Sequence, residues 1–96
     1  MSKPKLKEKN VQQIEIEGKV FKVIQPRARD LIKLTAKYSE GTPEEIADKM
    51  SEHVMLNWVI EPKITIEMYD DPKNAKIFTI LAGKLLEPLI EMSKKN

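Results

Sequence analysis

Apolar and polar residues alternate in two runs near the start of the chain, with the two-residue period of β-strands. The first run spans residues 11–17, the second spans residues 19–24, and Gly18 lies between them. This pattern predicts a β-hairpin. A turn at Glu17-Gly18 and a turn at Gly18-Lys19 both place the same four apolar residues on one face. They are Ile14, Ile16, Phe21 and Val23.

Two segments with the 3.6-residue period of α-helices follow the hairpin. The first is expected to begin at Pro26, which suits a first helical turn, and to end before Gly41 in the usual C′ manner. The second begins at Thr42, where Thr-Pro-Glu-Glu forms a capping box. We expect this second helix to run to about Ile60, because Pro62 stops it.

A third helix is predicted after a loop that spans residues 61–71 and contains at most one short turn. Asp71 is its expected N-cap, and Pro88 is expected to kink or end it. Its core face carries apolar residues at helical spacing. They are Ala75, Phe78, Ala82, Leu85, Leu86 and Leu89.

The predicted fold class is therefore α+β, an N-terminal β-hairpin followed by three α-helices. Residues 1–10 are expected to form a disordered basic tail, residues 11–92 a single small domain, and residues 93–96 a frayed end.

Four apolar residues lie away from the predicted core faces of the helices. Two interpretations stay open for them: helices bury them against each other, or they form a partner-binding surface. They are Met55, Val59, Ile77 and Ile80.

The composition and charge of the chain exclude several kinds of site and several classes of protein. The chain has 96 residues, no cysteine and a net charge of +2, and residues 1–10 hold four lysines against one glutamate. Disulfides and thiolate zinc sites are thereby excluded. No apolar run approaches the ~20 residues of a membrane span, and no apolar segment follows the first lysines as in a signal peptide. The absence of cysteine fits a reducing cytoplasm, and we expect neither a membrane partner nor a nucleic-acid partner. A basic arm such as residues 1–10 can bind nucleic acid, but the simpler interpretation is a solvated, disordered start.

No catalytic pattern is visible in the sequence. His53 is the single histidine, and no sequence neighbour suggests the oriented partner that a general base needs. Glu44 and Glu45 fit the capping box better than acid–base chemistry, and the dispersed glycines cannot cradle a phosphate. The sequence indicates no catalytic, cofactor-binding or metal-binding residue, so we expect a protein that is not an enzyme.

The order of the elements resembles a known family. The hairpin "IEIEGKVFKVI" is followed by a helix opening "RARDLIKL", an acidic capped helix, the loop "EPKITIEMYDDP" and the leucine-rich helix "KIFTILAGKLLEPL". In this order the chain resembles the small tail assembly chaperones of long-tailed bacteriophages. The resemblance covers residues 11–92 and lies in the pattern and order of the elements.

The resemblance implies a function without catalysis. A phage or prophage protein of this kind binds the helical tape measure protein and keeps it soluble while the tail tube polymerises. It also implies a homo-oligomer in the bacterial host cytoplasm, contact with the tail tube protein, and absence from the mature virion. A frameshifted longer product is implied too, and Lys94-Lys95 suits an A-rich slippery run. The alternative is a small regulatory protein that contacts nucleic acid through residues 1–10.

Overall fold

The computed structural model of this chain describes residues 11–94, with side chains described as far as Glu91. The predicted basic tail, residues 1–10, lies outside the described residues, as do residues 95 and 96. The described part is an α+β fold, which confirms the predicted class. It contains four α-helices where the sequence predicted three, and a sheet of three strands where it predicted a hairpin.

The hairpin consists of β1 (Val11–Ile16) and β2 (Lys19–Ile24), which pair antiparallel. Its turn is Glu17-Gly18, one of the two turns that the sequence allows. Glu17 has φ 50° and Gly18 has φ 86°, as a type I′ turn requires at both central positions. The remaining residues of the hairpin are extended, so this two-residue turn connects β1 directly to β2.

The predicted apolar face of the hairpin is confirmed. Ile16, Phe21 and Val23 are buried, and Ile14 is half-buried against them. A turn at Gly18-Lys19 would have placed Lys22 opposite Glu15, whereas the observed turn places Val20 there. The Lys22 ammonium instead lies 3.6 Å from the Glu61 carboxylate on the neighbouring strand.

Helix α1 (Ala28–Lys37) begins two residues later than the predicted start at Pro26. Arg27 is its N-cap, and the Asp30 carboxylate accepts hydrogen bonds from the Arg27 backbone N–H at 2.8 Å and from its guanidinium. This local pair satisfies helix N–H groups that would otherwise lack partners. The helix ends at Tyr38 rather than at Gly41, which lies in the loop before the next helix.

Helix α2 (Pro43–Asn57) starts as the sequence predicts. The Thr42 hydroxyl accepts a hydrogen bond from the Glu45 backbone N–H, and the Glu45 carboxylate accepts one from the Thr42 N–H. Its predicted end at Ile60 is wrong. The helix stops at Asn57, and Val59–Glu61 form strand β3, which pairs antiparallel with β2.

Strand β3 forms because β2 offers an unpaired edge to it. The Ile24 N–H donates to the Trp58 carbonyl at 2.9 Å, and Val59 pairs with Val23. Val59 and Ile60 are β-branched and fit a strand well, and Pro62 disfavours a helical conformation at Glu61. The strand order is β1-β2-β3.

The segment predicted as a loop contains helix α3 (Ile66–Asp70), capped by the Thr65 hydroxyl. A short 3₁₀ turn, Pro72–Asn74, leads into helix α4 (Ala75–Lys94). Pro88 lies inside α4 and does not end it, so residues 93 and 94, expected to fray, continue the helix.

The core lies between the inner face of the sheet and helices α1, α2 and α4. On α4 the predicted core face is correct for Phe78, Ala82 and Leu85, whereas Ala75 is exposed. Leu81, which the sequence did not single out, is fully buried. The complete set of buried side chains is Ile16, Phe21, Val23, Leu31, Leu34, Val54, Met55, Trp58, Val59, Ile64, Phe78, Leu81, Ala82 and Leu85.

Candidate protein-binding groove

The four residues proposed for partner binding do not form one surface. Met55 is 0% exposed and Val59 is 2% exposed, so the expectation that they are accessible is wrong for the folded domain. Ile77 is half-buried against the core, and Ile80, at 37% exposed, is the one accessible member. The ending of α2 at Asn57 explains why Val59 is buried. It turns Val59 into the sheet, where its side chain joins the inner face.

A different apolar surface lies along α4, in a groove bounded by α2 and α3. The groove has a volume of about 390 Å³. Ser51 of α2 forms one wall, Tyr69 of α3 lies at one end, and residues of α4 form the floor. The α4 residues are Ala75, Phe78, Thr79, Ala82, Gly83, Leu86 and Ile90. We call this surface the α4 groove.

Small side chains keep the α4 groove open, while large ones make it apolar. Thr79 and Gly83 are exposed on the groove side of the helix, and no heavy atom lies within 4 Å of where a Gly83 Cβ would stand. Leu86 is half-buried, and Ile90, one turn further on, is 51% exposed. A groove with an apolar floor is the kind of surface that accepts the apolar face of a helix.

Tyr69, one of the residues that line the α4 groove, has a perturbed hydroxyl. Burial raises the pKa of the Tyr69 hydroxyl, and the negative charges of Asp48, Glu52 and Asp70 raise this pKa further. None of these three carboxylates forms an ion pair within the described residues. The residues that line the groove itself are all uncharged.

His53 lies outside this groove, on the side of α2 that faces α1. The Tyr38 hydroxyl and His53 Nδ1 are 3.1 Å apart, and the two rings meet edge to face with centroids at 5.6 Å. Burial lowers the pKa of His53, and the positive charge of Lys37 lowers it further. The contact links the end of α1 to α2. A general base needs a neighbouring group that orients it toward a substrate. Within the described residues, the side chain that contacts the His53 ring in this way is Tyr38, at the end of α1.

Two further features are absent from the described part of the chain. Residues 11–94 contain no group of three or more histidine, aspartate or glutamate side chains placed to hold a metal ion. Over the same residues, no helix has the length and apolar character needed to cross a membrane.

Comparisons with known proteins identified no relative of this chain. No family model matches the chain, and no curated protein or solved structure matches it significantly. The inference about function therefore depends on the site itself and on the resemblance in element order described above.

Sequence reasoning missed the α4 groove, although a signal for it exists. Leu86 was assigned to the core face of α4, and Ile90 was not assigned to any face. Thr79, Gly83, Leu86 and Ile90 recur at three- and four-residue spacing, which places them on one side of a helix. The position of Tyr69 at the groove could not be anticipated, because α3, which supplies it, was predicted as a loop.

Proposed function

We propose that this chain is a tail assembly chaperone of a long-tailed phage or prophage, a binding protein without catalytic activity. It binds helical segments of the tape measure protein in the host cytoplasm and keeps that protein soluble while the tail tube polymerises around it. In this proposal the chain also contacts the tail tube protein and is absent from the mature virion.

The observation that supports this proposal is the α4 groove. A long helical protein with apolar faces aggregates unless those faces are covered, and covering them requires an apolar surface of matching shape. The groove offers such a surface along a helix of 20 residues, with Leu86 and Ile90 accessible. Phe78 and Ala82 belong both to this floor and to the buried core, which anchors the floor in the packed interior.

The first step of the test is the nucleotide sequence of the gene and its flanks. The proposal expects a slippery run at codons 94 and 95, an overlapping frame, and a very long helical reading frame downstream. That long frame supplies the tape measure protein for the second step. A gene that stands alone, or among metabolic genes, would remove the basis of the proposal.

The second step is co-expression of the long protein with this chain or with two variants. Gly83→Trp places a bulky side chain over the groove, where a Cβ meets open space. Lys84→Trp is the matched control, because Lys84 is exposed on the same helix and points away from the groove. We expect the wild type and Lys84→Trp to raise the soluble fraction of the long protein, and Gly83→Trp to fail. Equal solubility with and without this chain would refute the proposed function.

A further inference from the structure

A small cavity between α1 and α2 gathers positive charge and shares no lining residue with the α4 groove. We propose that this cavity binds a phosphate group, either as the free ion or carried by a small molecule. The inference does not depend on the proposed phage function, because it concerns a different part of the molecule and its test contains this chain alone.

The two helices and the residue that follows α2 form the walls of this cavity, which has a volume of about 270 Å³. Lys33 and Lys37 lie one turn apart on α1, so they share one side of that helix, and His53 lines the cavity from α2. Leu34 and Trp58, which are buried, supply its apolar wall. We call this site the α1–α2 cavity, and its lining is Asp30, Lys33, Leu34, Lys37, His53 and Trp58.

The carboxylate that lines the α1–α2 cavity is already neutralised by an arginine. Asp30 accepts hydrogen bonds from the Arg27 guanidinium at 3.2 Å and from the Arg27 backbone N–H at 2.8 Å. These bonds lower the pKa of Asp30, and the positive charge of Lys33 lowers it further. Within residues 11–94, neither Lys33 nor Lys37 forms an ion pair. Two cations at the cavity are therefore left without a counter-charge.

Lys37 and His53 approach the same tyrosine from two sides. Lys37 Nζ lies 5.8 Å from the centre of the Tyr38 ring, and the Tyr38 hydroxyl lies 3.1 Å from His53 Nδ1. Tyr38 thereby occupies Nδ1. In the tautomer in which the tyrosine donates to Nδ1, His53 Nε2 carries a proton and can donate to an anion. An anion near both cations would also favour the charged form of His53.

The chemistry of this lining fits a phosphate group. Two ammonium groups and an imidazole N–H are donors, and the oxygens of a phosphate group are strong acceptors. A phosphate group carries a charge of about −1.5 to −2 at neutral pH, which matches two lysines better than the single charge of a carboxylate does. The cavity of about 270 Å³ is smaller than the ~300–1,000 Å³ of most ligand pockets, so its occupant is small. Leu34 and Trp58 offer apolar contact to any organic part.

Other charged groups near His53 belong to a neighbouring cavity. Lys49 and Glu52 of α2 line that cavity together with Tyr38 and His53. Their charges are opposite, so together they add no net charge beside the imidazole. The groups that bias the titration of His53 from the α1 side are Asp30, Lys33 and Lys37, and of these the lysines are unpaired within the described residues.

Titration of the full chain with inorganic phosphate tests the proposal, with phosphate replacing chloride at constant ionic strength. Trp58 is the one tryptophan of the chain and lines the cavity, so we expect a saturable change in its emission. Lys33→Met and Lys37→Met each keep an aliphatic side chain but lose a charge, and each should weaken binding about tenfold. Lys84→Met is the matched control, because it removes the same charge from an exposed position on α4, and it should bind like the wild type.

An NMR titration of His53 in sulfate gives a second readout, which a merely structural histidine would not show. Sulfate is the probe because its charge stays constant over the pH range in which histidine titrates. We expect the midpoint of His53 to rise as sulfate replaces chloride and to stop rising at saturation. By reciprocity, sulfate should bind about tenfold more tightly below this midpoint than above it. His53→Gln should remove this pH dependence of binding.

A comparison of propyl phosphate with inorganic phosphate distinguishes the two sources of the phosphate group. Tighter binding of propyl phosphate would identify a small phosphate ester as the occupant, because its alkyl group contacts Leu34 and Trp58. Equal or weaker binding would identify the free ion. Circular dichroism verifies that each variant is folded. Absence of a saturable response to both ligands, or equal binding by Lys37→Met and Lys84→Met, would overturn the proposal.

Discussion

The burial of Met55 gives the sharpest test of the fold, because the sequence left open whether this residue is buried or lies on a partner-binding surface, and the structure places it in the core. The perturbation is Met55→Ala, compared with Ile80→Ala. Met55 is 0% exposed in α2, while Ile80 on α4 is 37% exposed. Both changes remove most of an apolar side chain from a helix, so the difference between them reports burial.

The structure fixes the expected magnitudes. Truncating a fully buried methionine to alanine removes its buried apolar surface and leaves a cavity, which costs about 2–5 kcal/mol. A domain of this size has a free energy of unfolding of ~5–15 kcal/mol in total, so the loss is a large fraction of it. Ile80→Ala should cost less than about 1 kcal/mol, because the side chain is already partly in water and alanine favours a helix.

Urea unfolding followed by tryptophan fluorescence measures both values. Trp58 is the one tryptophan of the chain and is 5% exposed, so unfolding transfers it to water and changes its emission. For a loss of ~3 kcal/mol and an m value of ~1.5 kcal/mol per molar urea, the midpoint falls by ~2 M. Circular dichroism should give the same midpoint if unfolding is two-state.

Two results would refute this reasoning. If Met55→Ala unfolds within about 0.5 kcal/mol of the wild type, the range of ordinary surface substitutions, then Met55 is not in the core. If Ile80→Ala lowers the free energy of unfolding as much as Met55→Ala does, then the side of α4 that carries Ile80 is buried rather than accessible.

Four further predictions concern the start of α2, a glycine inside α4 and the single histidine. Thr42→Ala removes the hydroxyl that accepts from the Glu45 N–H at 3.1 Å, and should lower the free energy of unfolding by about 1 kcal/mol in urea titrations. Gly41→Ala should be destabilising in the same assay, because Gly41 has φ +119° and an added Cβ would stand 2.7 Å from the Glu45 carboxylate. Gly83→Ala, inside a helix and facing open space, should instead stabilise by about 1 kcal/mol. The NMR titration midpoint of His53 should lie below its usual value of about 6.5.

The sign of the histidine effect follows from linkage. The pKa of His53 is lower in the folded chain than in the unfolded chain, so the unfolded chain binds more protons between the two values. The contribution of His53 to stability is therefore fully present above the unfolded pKa. It is lost progressively as the pH falls through that value toward the folded pKa. His53→Gln should remove this part of the pH dependence, and a titration midpoint at or above 6.5 would contradict the prediction.

The glycine and cap predictions also have clear contrary outcomes. Thr79→Ala is the control for the cap, since Thr79 is exposed inside α4, and it should change stability by less than about 0.5 kcal/mol. Equal effects of Thr42→Ala and Thr79→Ala would mean that the capping box contributes nothing measurable. A stabilising Gly41→Ala would mean that the loop before α2 adopts another conformation.

The interactions that are local in sequence were predictable from the sequence alone. The hairpin and its apolar face follow from alternation around Gly18, and the start of α2 follows from Thr42 and Glu45, which are three residues apart. The core residues Phe78, Ala82 and Leu85 follow from helical spacing on α4. In each case the groups that interact are a few residues apart or share one periodic face, so no information about distant residues is needed.

Tertiary structure decided the features that depend on residues far apart in the chain. Val59–Glu61 form a strand because β2, far upstream, offers them backbone partners, and this pairing outweighs the helical pattern of the preceding residues. Helix α4 continues through Pro88 because Leu85 before it and Leu89 after it both pack on the core, which offsets the lost hydrogen bond. The α4 groove exists only where α2, α3 and α4 meet. Local propensity is worth tenths of a kilocalorie per residue, whereas burying one side chain is worth several times more, so packing determines the outcome wherever the two disagree.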